Sequence, residues 1–144
     1  MTPSSGLKED AILLFTDGRG NMEANISLAD NFAANGFFTV MPTLFDGDNL
    51  PDVPNDPKAK FDLKEWKRRN LPSKVKPFIN AVILGMRSVG AKRIGGVGYH
   101  VGAKYLARFM GQEGLCTAFM AQPEWLEEED ILAINAPVSL AFGR

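Results

Sequence analysis

The chain has 144 residues, 45% hydrophobic and 23% charged, with a formal net charge of −1. That length and balance predict one globular domain over residues 1–144, and the near-neutral charge excludes the broad basic field of a nucleic-acid binder. No apolar run approaches the roughly 18–20 residues that cross a bilayer, MTPSSGLKED lacks the apolar core of a secretory signal, and a single cysteine and a single histidine exclude a disulfide and a Cys/His metal site. The expectation is a cytoplasmic protein with no metal and no cofactor, acting on a small molecule, with neither nucleic acid nor membrane as partner.

Residues 1–9 are polar and read as a flexible arm. Residues 11–16 (AILLFT) form a continuous apolar run ended by turn formers, the pattern of a strand buried on both faces. After the loop Asp17-Gly18-Arg19-Gly20-Asn21, residues 23–35 place Ile26, Ala29, Phe32 and Ala33 at helical spacing, and Gly36 caps the helix. Residues 37–41 (FFTVM) make a second strand, halted by Pro42. The turn formers of residues 43–60 mark a surface excursion. A short helix over 61–70 has Asp62 as N-cap and Trp66 inward. A longer helix carries Val75, Phe78, Ile79, Val82, Ile83 and Met86 to near Gly90, and Pro77 fits best in its first turn.

A third strand then runs into Gly98-Tyr99-His100-Val101-Gly102. Strand, tight turn and helix, with glycines two residues either side of one exposed side chain, is the layout of a nucleophile elbow. The helix that follows is apolar except for a single polar stripe, Lys104, Arg108 and Gln112, so it is expected to lie largely buried against the sheet, with Lys104 structural. Residues 116–120 (CTAFM) are a fourth strand, with Cys116 an inert small hydrophobe at its buried start. Glu127, Glu128, Glu129 and Asp130 open a short helix as a solvated acidic turn. Residues 137–142 (PVSLAF) are a fifth strand.

Strands alternating with helices imply an α/β fold with a parallel sheet covered on both faces. In such sheets ligands bind beyond the carboxyl ends of the strands. That gathers Asp17, Gly18, Arg19, Thr43, Phe45, Asp46, Tyr99, His100, Val101, Gln122, Glu124, Trp125 and Arg144 around one crevice.

Three blocks, LFTDGRGNMEANISLADNFAANGFFTVMPTLFDGD, KRIGGVGYHVGAKYLARFM and APVSLAFG, resemble the dienelactone hydrolase family in its fungal branch. The resemblance implies an α/β-hydrolase fold, here truncated to about five parallel strands in the order 2-1-3-4-5. It also implies lactone or ester hydrolysis by a Cys-His-Asp triad. Carried over residue by residue, the triad fails: His100 holds the cysteine's position, and the family's Asp and His fall beyond the strand at 138–142, where this chain has ended. The rim departs as well. Asp17-Gly18-Arg19-Gly20 stands where the family tends to read Asp-Val-Phe-Gly, Pro42-Thr43-Leu44 for Pro-Asp-Leu, and Gln122-Pro123-Glu124 for His-Pro-Ser.

These residues point to acid–base work rather than acyl transfer. An imidazole at a strand-to-helix corner is a competent base or hydrogen-bond donor, and Asp17, Glu124 or Asp46 would orient it or act as acid. The backbone N–H groups of Val101 and of the Gly18–Arg19 loop offer an oxyanion site, and Arg19 a partner for a carboxylate or enolate. Thr43, Phe45, Tyr99, Gln122 and Trp125 would wall the pocket. The function expected is a non-hydrolytic isomerase, cyclase or lyase-type step on a polyketide-type carbonyl metabolite; the rivals are a residual ester hydrolase using His100 to activate water, and a binding protein without catalysis. With the outer strands missing, Val138, Leu140 and Phe142 are expected to face solvent, and a homodimer to cover them.

Overall fold

The computed structural model describes residues 9–52, 57, 58, 60–111 and 114–143. Of the arm expected over residues 1–9, residues 1–8 lie outside the described residues, as do Gln112 of the polar stripe and Arg144 of the crevice; Glu9 instead is tied to the sheet, its carbonyl accepting from the Lys92 and Arg93 N–H groups. Among the described residues ten elements follow in order: β1 (Asp10–Phe15), α1 (Glu23–Ala34), β2 (Phe38–Val40), α2 (Leu63–Arg69), α3 (Pro72–Ser88), β3 (Arg93–Tyr99), α4 (Val101–Ala107), β4 (Thr117–Ala121), α5 (Glu128–Leu132) and β5 (Val138–Ala141). The five strands form one sheet, all parallel, in the order β2-β1-β3-β4-β5, as expected.

The order explains why the two faces differ. The chain steps from β1 outward to β2, then returns past β1 to β3, β4 and β5. Right-handed crossovers put α1 on one face and the later helices on the other. Ala11, Leu13 and Phe15 of β1, Ile94 of β3, and Ala118 and Met120 of β4 build the core on that second face with Val75, Ile79, Ile83 and Met86 of α3 and most of α4. The α1 face is thin: α1 has no buried residue, and Ile26 is 44% exposed. Its main packing partner among the described elements is the short β2.

Three local expectations shift. Helix α3 begins at Pro72, so Pro77 lies inside it and forgoes one helical hydrogen bond. Helix α4 stops at Ala107, three residues short of the apolar run, where Phe109 and Met110 turn into the core. Cys116 precedes β4 and is exposed, as is Thr117 after it; the buried positions of that strand begin at Ala118. Val138 is half-buried against the core, whereas Leu140 and Phe142 are open to solvent. No helix among the described residues is long and apolar enough to cross a membrane.

Candidate active site

The corner between β3 and α4 has the backbone of an elbow. His100 takes φ 50° and ψ −120°, a conformation costly for a residue with a Cβ that persists only where the surrounding structure over-determines it. Two features hold it there. A Cβ on Gly102 would lie 2.3 Å from the carbonyl oxygen of Thr16 and 2.6 Å from that of Phe15, so only glycine lets α4 start this close to the end of β1. On the other side the His100 N–H donates to the carbonyl of Ala121 (3.1 Å), and the Glu124 N–H donates to the carbonyl of His100 (3.2 Å). The elbow is therefore pinned between β1 and the segment leaving β4.

That segment brings Glu124 to the imidazole. Its Oε1 lies 3.3 Å from His100 Nδ1, with the two side chains 50% and 35% exposed. Around the pair opens a cavity of about 400 Å3 lined by Asp17, Arg19, Leu50, Pro51, Asp52, His100, Glu124 and Trp125. Five of these are the residues that topology sends to the crevice. Leu50, Pro51 and Asp52 are additions, because nothing in their local pattern marks chemistry. A hydrogen bond from the Leu50 N–H to the Gly18 carbonyl (2.8 Å) ties their segment to the loop after β1.

The charged groups at the mouth are paired rather than poised. Arg19 donates from Nε (2.8 Å) and Nη2 (2.5 Å) to Oδ2 of Asp17, and its backbone N–H reaches Oδ1 at 3.3 Å. Those hydrogen bonds, with the charges of Asp17 and Asp52, raise the guanidinium's pKa further above its ordinary value. Asp17 consequently faces Arg19 and not His100, and the Arg19 N–H is not free to serve as an oxyanion donor. Gly18 has φ 85°, and a Cβ there would sit 2.7 Å from side-chain atoms of Leu50 and Val101. It packs the loop onto α4 rather than lining the cavity.

The other expected wall residues go elsewhere. Thr43, Phe45 and Asp46 border a separate depression with Arg69, Asn70, Lys74, Val75 and Phe78. Phe45 itself is core, set edge-on to Trp66 and Tyr105. Val101 is buried beneath the elbow. Tyr99 is half-buried, and burial pushes its phenol pKa up. Gln122 (φ 47°) turns away from the cavity, its N–H bonded to the Ala141 carbonyl (2.7 Å) and its amide nitrogen lying over Gly143.

The residues beneath the site overturn one further expectation: Asp130 is not part of a solvated acidic turn but fully buried, and the polar stripe of α4 does structural work by pairing with it. Lys104 Nζ donates to Asp130 Oδ2 (2.6 Å) and to the Trp125 carbonyl (3.1 Å), and Arg108 Nε donates to Asp130 Oδ1 (2.6 Å). The Glu127 N–H adds a bond to Asp130 Oδ2 at 2.8 Å. Burial alone would raise the Asp130 pKa; the donors from Lys104, the Glu127 backbone and Arg108 outweigh it and hold the carboxyl below its ordinary range. This cluster ties Trp125, and with it the loop carrying Glu124, to α4. Trp125 adds an edge contact to Trp66 and takes Lys67 Nζ over its ring at 4.0 Å. Among the described residues no three imidazole, thiol or carboxylate groups converge as a metal ion requires.

Comparison with known proteins places this geometry. The sequence model of the dienelactone hydrolase family matches residues 1–144. The chain is 38% identical over 141 residues to hydrolase pyvD of Aspergillus violaceofuscus, and 32% identical over 149 residues to hydrolase tropI of Talaromyces stipitatus. It is 26% identical over 140 residues to dienlactone hydrolase 1 of Gibberella moniliformis. These alignments take in 96%, 96% and 92% of this chain but only 56%, 58% and 53% of the relatives, so the chain spans little more than half their length. It belongs to the dienelactone hydrolase family.

Proposed function

We propose that this member of the dienelactone hydrolase family binds a small carbonyl compound in the cavity beside His100 and acts on it by acid–base chemistry, without an acyl-enzyme. One observation carries the reading: the elbow apex, where a hydrolase of this fold presents its nucleophile, holds an imidazole with a carboxylate 3.3 Å from its Nδ1. A carboxylate there favours the tautomer that keeps its proton on Nδ1, leaving Nε2 for a ligand. Such a ring takes a proton from the carbon beside a carbonyl; returning it to another carbon is isomerisation, to the alkoxide formed when the enolate attacks a second carbonyl of the same molecule is cyclisation, and to a departing β-hydroxyl that leaves as water is elimination. In its protonated form it donates to the carbonyl oxygen, as a pericyclic step would use. The cavity contributes by holding the reacting groups in register. A polyketide-type metabolite is the substrate class the family resemblance suggests.

Ester or lactone hydrolysis, with His100 activating water, is the second reading, and the name hydrolase on all three relatives favours it. One comparison separates the two. Wild type and His100→Ala are assayed for solvent-deuterium exchange at the acetyl group of 4-acetylbenzamide and for turnover of 4-nitrophenyl acetate. Exchange that falls about 10²–10⁴-fold in the variant, with no ester turnover, supports the acid–base enzyme. Ester turnover that needs His100 supports the hydrolase. Saturable binding with neither activity leaves a binding protein.

A further inference from the structure

We propose that the His100 cavity takes uncharged ligands and rejects carboxylates, because the guanidinium on its wall is already neutralised from within the protein. The inference rests on the acid–base reading above for the location of the ligand, and it adds the ligand's charge class.

Arg19 is the residue type that would ordinarily recognise a carboxylate, through its planar fork of donors. Here two of those donors, Nε and Nη2, go to Asp17. The Asp17 side chain is only 10% exposed, so its charge stays beside the guanidinium instead of dispersing into solvent. Asp52, on the same wall, adds a second negative charge acting on Arg19. Across the cavity Glu124 faces His100. Among the described lining residues, three carboxylates thus border the cavity with a single guanidinium. An incoming carboxylate finds Arg19 occupied, meets Asp52 and Glu124 as like charges, and loses hydration without recovering it. A neutral carbonyl compound needs no free cation. It has the apolar sides of Leu50, Pro51 and Trp125 to pack on and His100 to bond.

The isosteric pair 4-acetylbenzamide and 4-acetylbenzoate tests this. His100 is the only histidine, so its ring signal in a 1H–13C spectrum reports binding without ambiguity. In wild type the amide should move that signal with a Kd at least about tenfold lower than the carboxylate. Asp17→Asn keeps an oxygen for the Arg19 backbone N–H while removing the charge, and should narrow or reverse the ratio. Adding Arg19→Gln to that variant should restore rejection of the carboxylate. Equal binding of the two probes by wild type would overturn the proposal and leave the acid–base reading intact. So would a ratio unchanged in Asp17→Asn while the amide still binds. If neither probe moves His100 at saturation, the acid–base reading fails and the proposal falls with it.

Discussion

His100, Lys104 and Arg108 stand four residues apart along one side of the elbow and α4, and each faces an acid from the segment between β4 and β5. At the upper end His100 meets Glu124, both partly open to solvent. At the lower end Lys104 and Arg108 close on Asp130, which has no exposure at all. The three pairs share one seam and one chemistry, and burial separates their tasks. A buried pair is surrounded by low dielectric and held by several donors, so it fixes geometry. A half-exposed pair with one contact leaves a ring nitrogen and room for a ligand, so it can react. The lower pairs set the Trp125 loop in place, and the upper pair uses the position they set.

If that division is right, the largest effect comes from breaking the lower end. Asp130→Ala leaves the ammonium of Lys104 and the guanidinium of Arg108 without their shared buried partner, and should cost about 3 kcal/mol. For a chain of this size that is roughly a 10 °C fall in melting temperature by calorimetry. A loss near zero would show that the cluster braces nothing. Next is Gly102→Ala, which forces a methyl against the carbonyls of Phe15 and Thr16, beneath both ends of the seam. Denaturant titration should show a loss of about 1–3 kcal/mol, together with disturbed resonances at His100.

Acid sharpens the comparison further. The Asp130 pKa is depressed in the folded chain, so its ionised form contributes stability above the unfolded value of about 3.9, and the contribution is lost as pH falls through the lower folded value. The stability difference between wild type and Asp130→Asn should therefore be flat above about pH 5 and shrink below about pH 4. A difference that grows in acid would reverse the assignment. The smallest effect belongs to the upper end. Glu124→Gln removes a half-exposed partner, so stability should change by less than about 0.5 kcal/mol. The catalytic readout should nevertheless drop about tenfold, since the ring loses the group that orients it. A melting shift as large as that of Asp130→Ala would mean that the two ends do the same work.

The fold is legible in the order of residues because its signals are local and redundant. Short apolar runs broken by Gly, Pro and Asp specify strands, and their alternation with helices specifies a parallel sheet. The elbow is legible for the same reason: Gly98 and Gly102 flank His100 within one short turn, and the close approach of Gly102 to β1 is a constraint carried by one residue type. The site is legible only in part. Asp17, Arg19, His100, Glu124 and Trp125 share a cavity because topology alone sends those loops to one edge of the sheet. Thr43 and Phe45 belong to a loop from the same edge, yet Phe45 is drawn into the core by Trp66 and Tyr105. Loop direction after a strand depends on what the loop packs against, and that information is not local.

The sequence by itself determined the order of the elements, the parallel sheet and the imidazole at the elbow apex, since periodicity and turn chemistry act over a few residues, while the strand order came from the family resemblance. The tertiary structure alone decided which charges are spent and which remain available. Asp130 and Glu124 are both acids in one short segment; 0% exposure makes the first a brace, while half exposure and a 3.3 Å approach to His100 make the second a partner in the site. Arg19 reads as a free guanidinium until Asp17 closes on it. The free energy of a charge depends on its solvent and its neighbours in space, and neither is defined until the chain has folded.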